Sequence, residues 1–381
     1  MAGQKKAKKN SKKTKKQSRA PSQSQPSNAQ EGSQLFRIPQ EVRDLIYAQL
    51  FFDTRLSHGR RSVGRISDLR IVSASNSLAM LTSCRRARAE IGDSWLGWVL
   101  FSFEDTETMM TKLAALPIAT LSKVHHIRVR GETLMLSWPD GDVHYRLVHA
   151  LKLLPGLQLD TLTVLNLYGG KVSYDVLNTL IKYGQGWKEL RFISHASSLL
   201  GFAADDEIND RYWRKPQPAD WIRAMNNRDG AASQPSVTIY RSTLAGQSCT
   251  VSDEASRVRF EQKPTKPHEE VTFATQEYGD LMSPGEKTKE LMVVVRRGRG
   301  IDYQEKPGSP FLTAIGDIRK DCPGMTWLEI KKQHIDFPSD SEDDDSEFSD
   351  SVFGDRDPIK QDIYKHADDY EWTPLNFDSD A

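Results

Sequence analysis

The amino-acid sequence predicts an α+β fold whose body lies between two disordered tails of opposite charge. Helical and strand patterns alternate between residues 35 and 337, which indicates a folded body. Residues 1–34 hold nine lysines and arginines against one acid, and residues 336–381 hold sixteen acids against three bases. The formal net charge of zero therefore hides two charged ends, and this layout favours macromolecular partners over a metabolite.

Composition excludes several classes of protein. No apolar run approaches the ~18 residues of a membrane span, and the N-terminus lacks the apolar stretch of a secretory signal. The three cysteines, Cys84, Cys249 and Cys322, form neither a disulfide framework nor a CxxC metal site. We therefore expect a soluble intracellular protein without a membrane partner.

The basic tail, residues 1–34, contains four lysine pairs followed by a stretch rich in Ser, Gln and Pro. It cannot bury apolar surface, so we expect it to be disordered. Clustered lysines suit the acidic grooves of nuclear import receptors, and they also bind nucleic-acid phosphates without reading sequence. We expect a nuclear protein, in the nucleus alone or in nucleus and cytoplasm. The candidate import residues are Lys5, Lys6, Lys8, Lys9, Lys12, Lys13, Lys15 and Lys16.

The acidic tail, residues 338–381, is also predicted to be disordered. Ser339 and Ser341 are phosphorylation candidates, because each has an acid three residues later. Tyr370, Trp372 and Phe377 form an aromatic motif, which either docks on the body or orders on contact with a partner.

Residues 35–105 are predicted to be a helical region. Pro39 suits the first turn of a helix, and an apolar stripe follows at i, i+3, i+4 spacing through residue 52. Residues 53–76 are rich in Arg, Ser and Gly and are predicted to form a loop. A second helix from about Asn76 has apolar positions at helical spacing, namely Leu78, Leu81, Cys84, Ala87 and Ile91.

Residues 106–200 alternate between strand and helix signals. A short helix over 107–116 comes first. The β-α-β-α-β order that follows favours parallel strands joined by crossovers, with Ser173 as the candidate N-cap of the second crossover helix. The predicted strands are 123–131, 162–170 and 187–194, and the predicted helices are 142–156 and 173–186.

Residues 201–337 are predicted to be a less regular α+β extension. A short helix is expected over 218–227. Strands are expected at 236–242, 257–262 and 291–300, and residues 311–337 are expected to hold one helix and one strand or second short helix.

Catalytic and metal-binding motifs are absent from the sequence, so we expect no catalytic residue, no metal, no cofactor and no enzymatic activity. His125 and His126 are adjacent in a predicted strand and so face opposite ways. His144 and His149 are five apart on a predicted helix, which is the wrong spacing for one face. The RRGRG run at 296–300 is interpreted as a strand exit with a glycine turn rather than an RNA-binding fragment.

A family resemblance rests on two segments in a fixed order. The first holds an Ile-Pro dipeptide, a Glu-Val-Arg run and an Ile-Tyr pair, and the second holds a Leu-rich helix, a Cys-Arg pair and an aromatic strand. Together they resemble a large group of fungal proteins with a degenerate F-box. The matching residues are Ile38, Pro39, Glu41, Val42, Arg43, Ile46, Tyr47, Leu81, Cys84, Arg85, Glu90, Phe101 and Phe103.

The body adds a second, partial resemblance. Leu162, Leu165 and Leu167 are similar to a degenerate leucine-rich-repeat strand. F-box proteins commonly carry leucine-rich repeats, so the two resemblances agree.

The F-box resemblance implies an adaptor that docks to a cullin-ligase adaptor protein and holds an unknown protein substrate. The alternative is a nuclear scaffold associated with nucleic acid or chromatin through the basic tail. The residues expected to dock to the ligase adaptor are Ile38, Pro39, Val42, Leu45, Ile46 and Leu50.

Overall fold

A computed structural model gives the fold of this chain. It describes residues 33–63, 66–73, 78–166, 170–197, 199, 212–213, 219–242, 270–271, 288–312 and 316–335. The chain divides into two compact units, Met1–Ile46 and Tyr47–Ala381.

Helices and strands are mixed along the described chain, as the α+β prediction requires. The helices are α1 Gln34–Arg37, α2 Gln40–Phe52, α3 Ala79–Ser83, α4 Arg85–Ile91, α5 Trp95–Trp98, α6 Thr106–Leu113, α7 Ile118–Leu121, α8 Leu147–Leu151, α9 Gly170–Tyr183, α10 Ala219–Asp229, α11 Ile318–Asp321 and α12 Trp327–His334. The strands are β1 Arg55–Val63, β2 Ile66–Ser73, β3 Leu100–Phe103, β4 His126–Arg130, β5 Leu134–Trp138, β6 Gly141–Tyr145, β7 Leu159–Asn166, β8 Trp187–Ser194, β9 Tyr212–Trp213, β10 Ser236–Arg241, β11 Glu270–Val271 and β12 Leu291–Arg296.

An eight-stranded sheet organises the second unit, with strand order β10-β12-β8-β7-β4-β3-β1-β2. The five strands from β8 to β1 run parallel, and antiparallel strands extend both ends. The predicted parallel pairing of these strands is confirmed, because β4, β7 and β8 are parallel neighbours. Helix α9 joins β7 to β8 as predicted, whereas the connection from β4 to β7 contains β5 and β6 before α8. Two small antiparallel sheets, β5-β6 and β9-β11, lie outside the large one.

The apolar core lies on one face of the central strands, where the register places the following four residues on the same side of the sheet. Ile127, Val129, Val164 and Phe192 are completely buried. Helix α9 adds a fully buried stripe to this core, made of Val176, Leu177, Leu180 and Ile181. Strands covered on both faces need near-continuous apolar runs, which explains why β12 has the sequence LMVVV.

Two predicted elements are wrong, because strand-pairing and turn signals were missed. Residues 53–76 contain the hairpin β1-β2, since the edge of β3 gives β1 a parallel partner. The predicted helix 142–156 is strand β6 followed by the shorter α8. Pro139-Asp140 forms a two-residue turn and Gly141 has a φ of +123°, which are features of a β-hairpin turn.

The predicted second helix is broken into three. Helices α3, α4 and α5 replace it, because Cys84 takes an extended conformation and its sulfur accepts a hydrogen bond from Ala87 N. Ser173 is not an N-cap, since α9 begins at Gly170 and Ser173 is buried within it.

The large sheet also crosses the expected domain boundary near residue 200, because β10 and β12 pair beyond β8. The expected strand at 257–262 and Leu167 lie outside the described residues. Residues 316–335 hold two helices, and α12 begins with a capping box between Thr326 and Glu329.

A buried ion network ties β8, α9, α10 and β12 together. Arg297, only 1% exposed, binds Asp229 through two hydrogen bonds of 3.0 and 2.6 Å. Arg228 binds the same carboxylate at 2.9 and 2.8 Å and donates to the Ile181 and Gly184 carbonyls at the end of α9. Both guanidinium groups lie within 6 Å of the buried Trp187 ring. Burial raises the pKa of Asp229, but the hydrogen bonds from both arginines outweigh it and hold that pKa below its usual value.

Replacing Asp229 tests how much this network contributes to the stability of the fold. Asp229→Asn leaves two desolvated guanidinium groups without a counter-charge, so we expect the free energy of unfolding to fall by about 3–5 kcal/mol. Urea denaturation measures the loss. Asp93→Asn is the matched control, because its exposed pair with Lys123 is worth about 1 kcal/mol or less. Equal losses in the two variants would contradict the assigned role of Asp229.

Candidate functional site

The candidate site is an exposed apolar stripe on α2, formed by Val42, Leu45 and Ile46. Their exposed fractions are 44%, 54% and 42%. The three residues follow i, i+3, i+4 spacing, so they share one face of the helix. Apolar side chains exposed together in this way mark interaction surfaces more often than isolated ones do.

The opposite face of α2 carries the residues that the fold buries. Tyr47, Ala48 and Phe51 are buried. The Phe51 ring lies 6.4 Å from each of Trp95 and Trp98, measured between ring centroids. Anchoring of α2 therefore uses residues outside the stripe, and the stripe is left accessible.

The other expected docking residues surround the stripe. Pro39 is exposed, while Ile38 and Leu50 are partly buried. Ile38 follows α1, and its carbonyl accepts a hydrogen bond from the Arg43 guanidinium, which also lies 5.7 Å from the Phe36 ring centroid. Arg43 thus fixes the corner between α1 and α2. The structure places all six expected docking residues on or directly before one helix.

The remaining expected sites lie outside the described residues. These are the lysines Lys5, Lys6, Lys8, Lys9, Lys12, Lys13, Lys15 and Lys16, the serines Ser339 and Ser341, and the aromatics Tyr370, Trp372 and Phe377.

A histidine–carboxylate pair lies at the amino-terminal edge of the sheet. His125 Nδ1 is 2.6 Å from Asp160 Oδ2, and the Tyr303 hydroxyl donates to Asp160 Oδ1 at 3.2 Å. Burial raises the pKa of Asp160, but its hydrogen bonds and the nearby histidines bring that pKa below its usual value. The Asp160 carboxylate thus joins β7 to His125, which precedes β4, and to Tyr303 in the segment after β12.

The prediction that His144 and His149 lie on one helix is wrong. His144 lies in β6 and His149 in α8, so they do not share a helix. His149 is buried and packs edge-on to Tyr145, with ring centroids 5.7 Å apart. Within the described ranges, no group of three or more His, Cys, Asp or Glu side chains is placed to hold a metal ion.

A buried polar cluster lies at the carboxyl edge of the parallel strands. The Asn166 amide donates to the Ser173 hydroxyl and, at 3.4 Å, to the Ser194 hydroxyl. Glu290 precedes β12 at the same edge, where Leu291 pairs with Ser194. Burial raises the pKa of Glu290 to about 8, which favours the protonated form of its carboxyl group. Open α/β sheets bind ligands at this edge, but here the side-chain amide and hydroxyls bond to one another and hold the strand ends together.

The RRGRG run leaves the sheet through a glycine turn, which confirms the predicted strand exit. Arg296 ends β12, and Gly298 has a φ of +96°. Arg297 is sequestered on Asp229, so it presents no charge to a nucleic acid. Sequence reasoning missed this network because the two partners lie 68 residues apart.

No family model, no curated protein and no solved structure matches this chain. In the part of the chain that the structure describes, no helix has both the length and the apolar character needed to cross a membrane.

His126 gives a prediction about stability at low pH. Burial lowers its pKa from 6.5 to about 4, while Asp160 and Glu189 oppose that change and His125 and Arg191 add to it. The folded state therefore disfavours the charged imidazole. The contribution of the neutral His126 to the free energy of unfolding is fully present above pH 6.5. It is lost as the pH falls from 6.5 towards 4, by about 2–3 kcal/mol.

The variant His126→Gln lacks this titration. We expect its free energy of unfolding, measured in urea at pH 7 and pH 4.5, to fall less steeply than that of the wild type. The exposed His195→Gln serves as the control and keeps the wild-type slope. A wild-type slope in His126→Gln would show that other groups cause the acid lability.

Proposed function

We propose that the chain is an F-box-like adaptor, which recruits a protein substrate to a cullin-type ubiquitin ligase. Its role is binding and not catalysis. The docking element is α2, whose exposed stripe inserts into an apolar groove of the ligase adaptor.

The proposal depends on the two apolar faces of α2. Val42, Leu45 and Ile46 are each about half exposed on one face of α2, whereas Tyr47 and Phe51 on the other face are buried. A helix that belonged only to the core would bury its largest apolar stripe. This helix instead keeps a second apolar face available. That face contains residues of the same segment that resembles the F-box pattern.

The free energy gained by burying the stripe is adequate for a specific contact. Full burial of a Leu, Ile or Val side chain is worth about 1.5–3 kcal/mol, and these three side chains have roughly half of that gain left to make. Three such residues contribute a few kcal/mol, which corresponds to two or more powers of ten in affinity.

The substrate side is proposed to be the body of the chain together with the aromatic motif Tyr370, Trp372 and Phe377. Large aromatic side chains supply most of the binding energy in many interfaces. We further propose that the lysine pairs between Lys5 and Lys16 bind an import receptor and direct the chain to the nucleus.

Replacing the stripe tests the adaptor role. Leu45→Asp combined with Ile46→Asp places two carboxylates on the docking face, so we expect at least a tenfold loss of binding to the ligase adaptor. Binding is measured by co-purification and by titration with the purified adaptor protein. Because both side chains are exposed, circular dichroism and the melting temperature should stay close to the wild type.

Leu328→Asp is the matched control, since Leu328 is 61% exposed on helix α12 and lies outside the proposed face. It should bind the adaptor as the wild type does. A folded double variant that still binds with wild-type affinity would exclude the stripe as the docking face. Binding to RNA or DNA that is lost on deleting residues 1–19, with a steep salt dependence, would instead support the nucleic-acid scaffold.

A further inference from the structure

Ser309 lies in an exposed turn that follows β12. Ser309 N donates to the Lys306 carbonyl at 3.1 Å, which closes a four-residue turn. Pro307 occupies the second position and Gly308 the third, where its φ is +72°, the pattern of a type II turn. Lys306, Pro307 and Gly308 are exposed, and so is Pro310, while Ser309 is partly buried. An enzyme can therefore approach this turn from solvent.

The residue after Ser309 is a proline, which has no backbone N–H. Proline-directed kinases select this feature at the position after the acceptor hydroxyl. The sequence contains two other Ser-Pro or Thr-Pro pairs, at Ser283 and Thr373. Both lie outside the described residues, so Ser309 is the one whose surroundings are defined.

A cation already contacts the Ser309 hydroxyl. Arg319 Nη1 donates to Ser309 Oγ at 3.0 Å and to the Ser309 carbonyl at 2.9 Å, and Nη2 donates to the Pro310 carbonyl at 2.9 Å. Arg319 is held in this position by Asp317, whose carboxylate it binds at 2.9 and 2.7 Å. A guanidinium beside an acceptor hydroxyl can take a phosphate through charge-assisted hydrogen bonds.

A buried carboxylate lies on the other side of the same hydroxyl. Ser309 Oγ donates to Glu305 Oε1 at 2.5 Å. Glu305 is fully buried and its second oxygen accepts from Lys152 Nζ at 2.8 Å. The Glu305 backbone also pairs with Gly156 N and the Leu157 carbonyl, so this residue holds the segment after β12 against the loop between α8 and β7.

We propose that Ser309 is a phosphorylation site for a proline-directed kinase, and that the phosphate loosens the attachment of Glu305. The γ-phosphoryl group passes from MgATP to Ser309 Oγ: the new O–P bond forms as the bond to the ADP oxygen breaks, and the hydroxyl proton goes to the kinase base. The ester has no hydroxyl proton to donate to Glu305. Its negative charge faces that carboxylate and Asp317, so the phosphate turns outward to Arg319 and the Ser309–Glu305 hydrogen bond is lost.

The test uses the full chain, a purified proline-directed kinase and MgATP. Peptide mass spectrometry is expected to find phosphate on Ser309 of the native wild type. Pro310→Ala keeps the hydroxyl and should reduce the modification of Ser309 at least tenfold, without changing that of Ser283 or Thr373. An unmodified Ser309 beside a modified Ser283 or Thr373 would overturn the site, as would a Ser309 modified equally in the Pro310→Ala variant.

A second measurement tests the coupling to Glu305. Kinase treatment should lower the melting temperature of the wild type by about 2–4 °C. Ser309→Ala treated in the same way keeps its melting temperature, because any phosphate on Ser283 or Thr373 is common to both samples. A wild type that is phosphorylated on Ser309 but melts at its original temperature would overturn the proposed effect on Glu305.

Discussion

The carboxylate of Asp229 is the point on which the packing of the sheet edge depends. It neutralises Arg228 and Arg297. Arg228 also donates to the carbonyls at the end of α9, and both guanidinium groups contact Trp187 at the start of β8. Four elements from distant parts of the sequence meet there. A buried cation is tolerated only where its hydrogen bonds and its charge are satisfied, so the network fixes the position of β12 beside β8. The antiparallel pairing of β12 with β8 places Arg297, the residue after β12, within reach of Asp229.

Elements with strong local signals could be predicted from the sequence, and elements that depend on distant pairing could not. The apolar and polar residues of β4 alternate, β7 and β8 also have strand patterns, and α9 has a clear helical stripe, so their type and order were predictable. The hairpin β1-β2 could not be predicted, because its polar sequence becomes a strand only beside β3. The β5-β6 hairpin did carry a local signal, Pro139-Asp140-Gly141, which was missed.

The candidate site was also only partly predictable from the sequence. The spacing of Val42, Leu45 and Ile46 predicts one apolar face on α2, but spacing alone does not tell whether that face is buried. The structure distinguishes two faces: Tyr47 and Phe51 are buried, and the stripe is exposed. An exposed helix face of this kind suits recognition by a preformed groove, and it costs little conformational entropy because α2 is already folded. The proposed docking and the anchoring of α2 can therefore occur at the same time.

Hydrogen–deuterium exchange of the full chain, with and without the purified ligase adaptor, tests the docking face most directly. We expect slower exchange in peptides that cover Gln40–Phe52 when the adaptor is present, with the peptides of β7, β8 and β12 unchanged. Formation of a stable complex in which α2 exchanges at its original rate, while another segment becomes protected, would contradict the assignment of the α2 stripe as the docking surface.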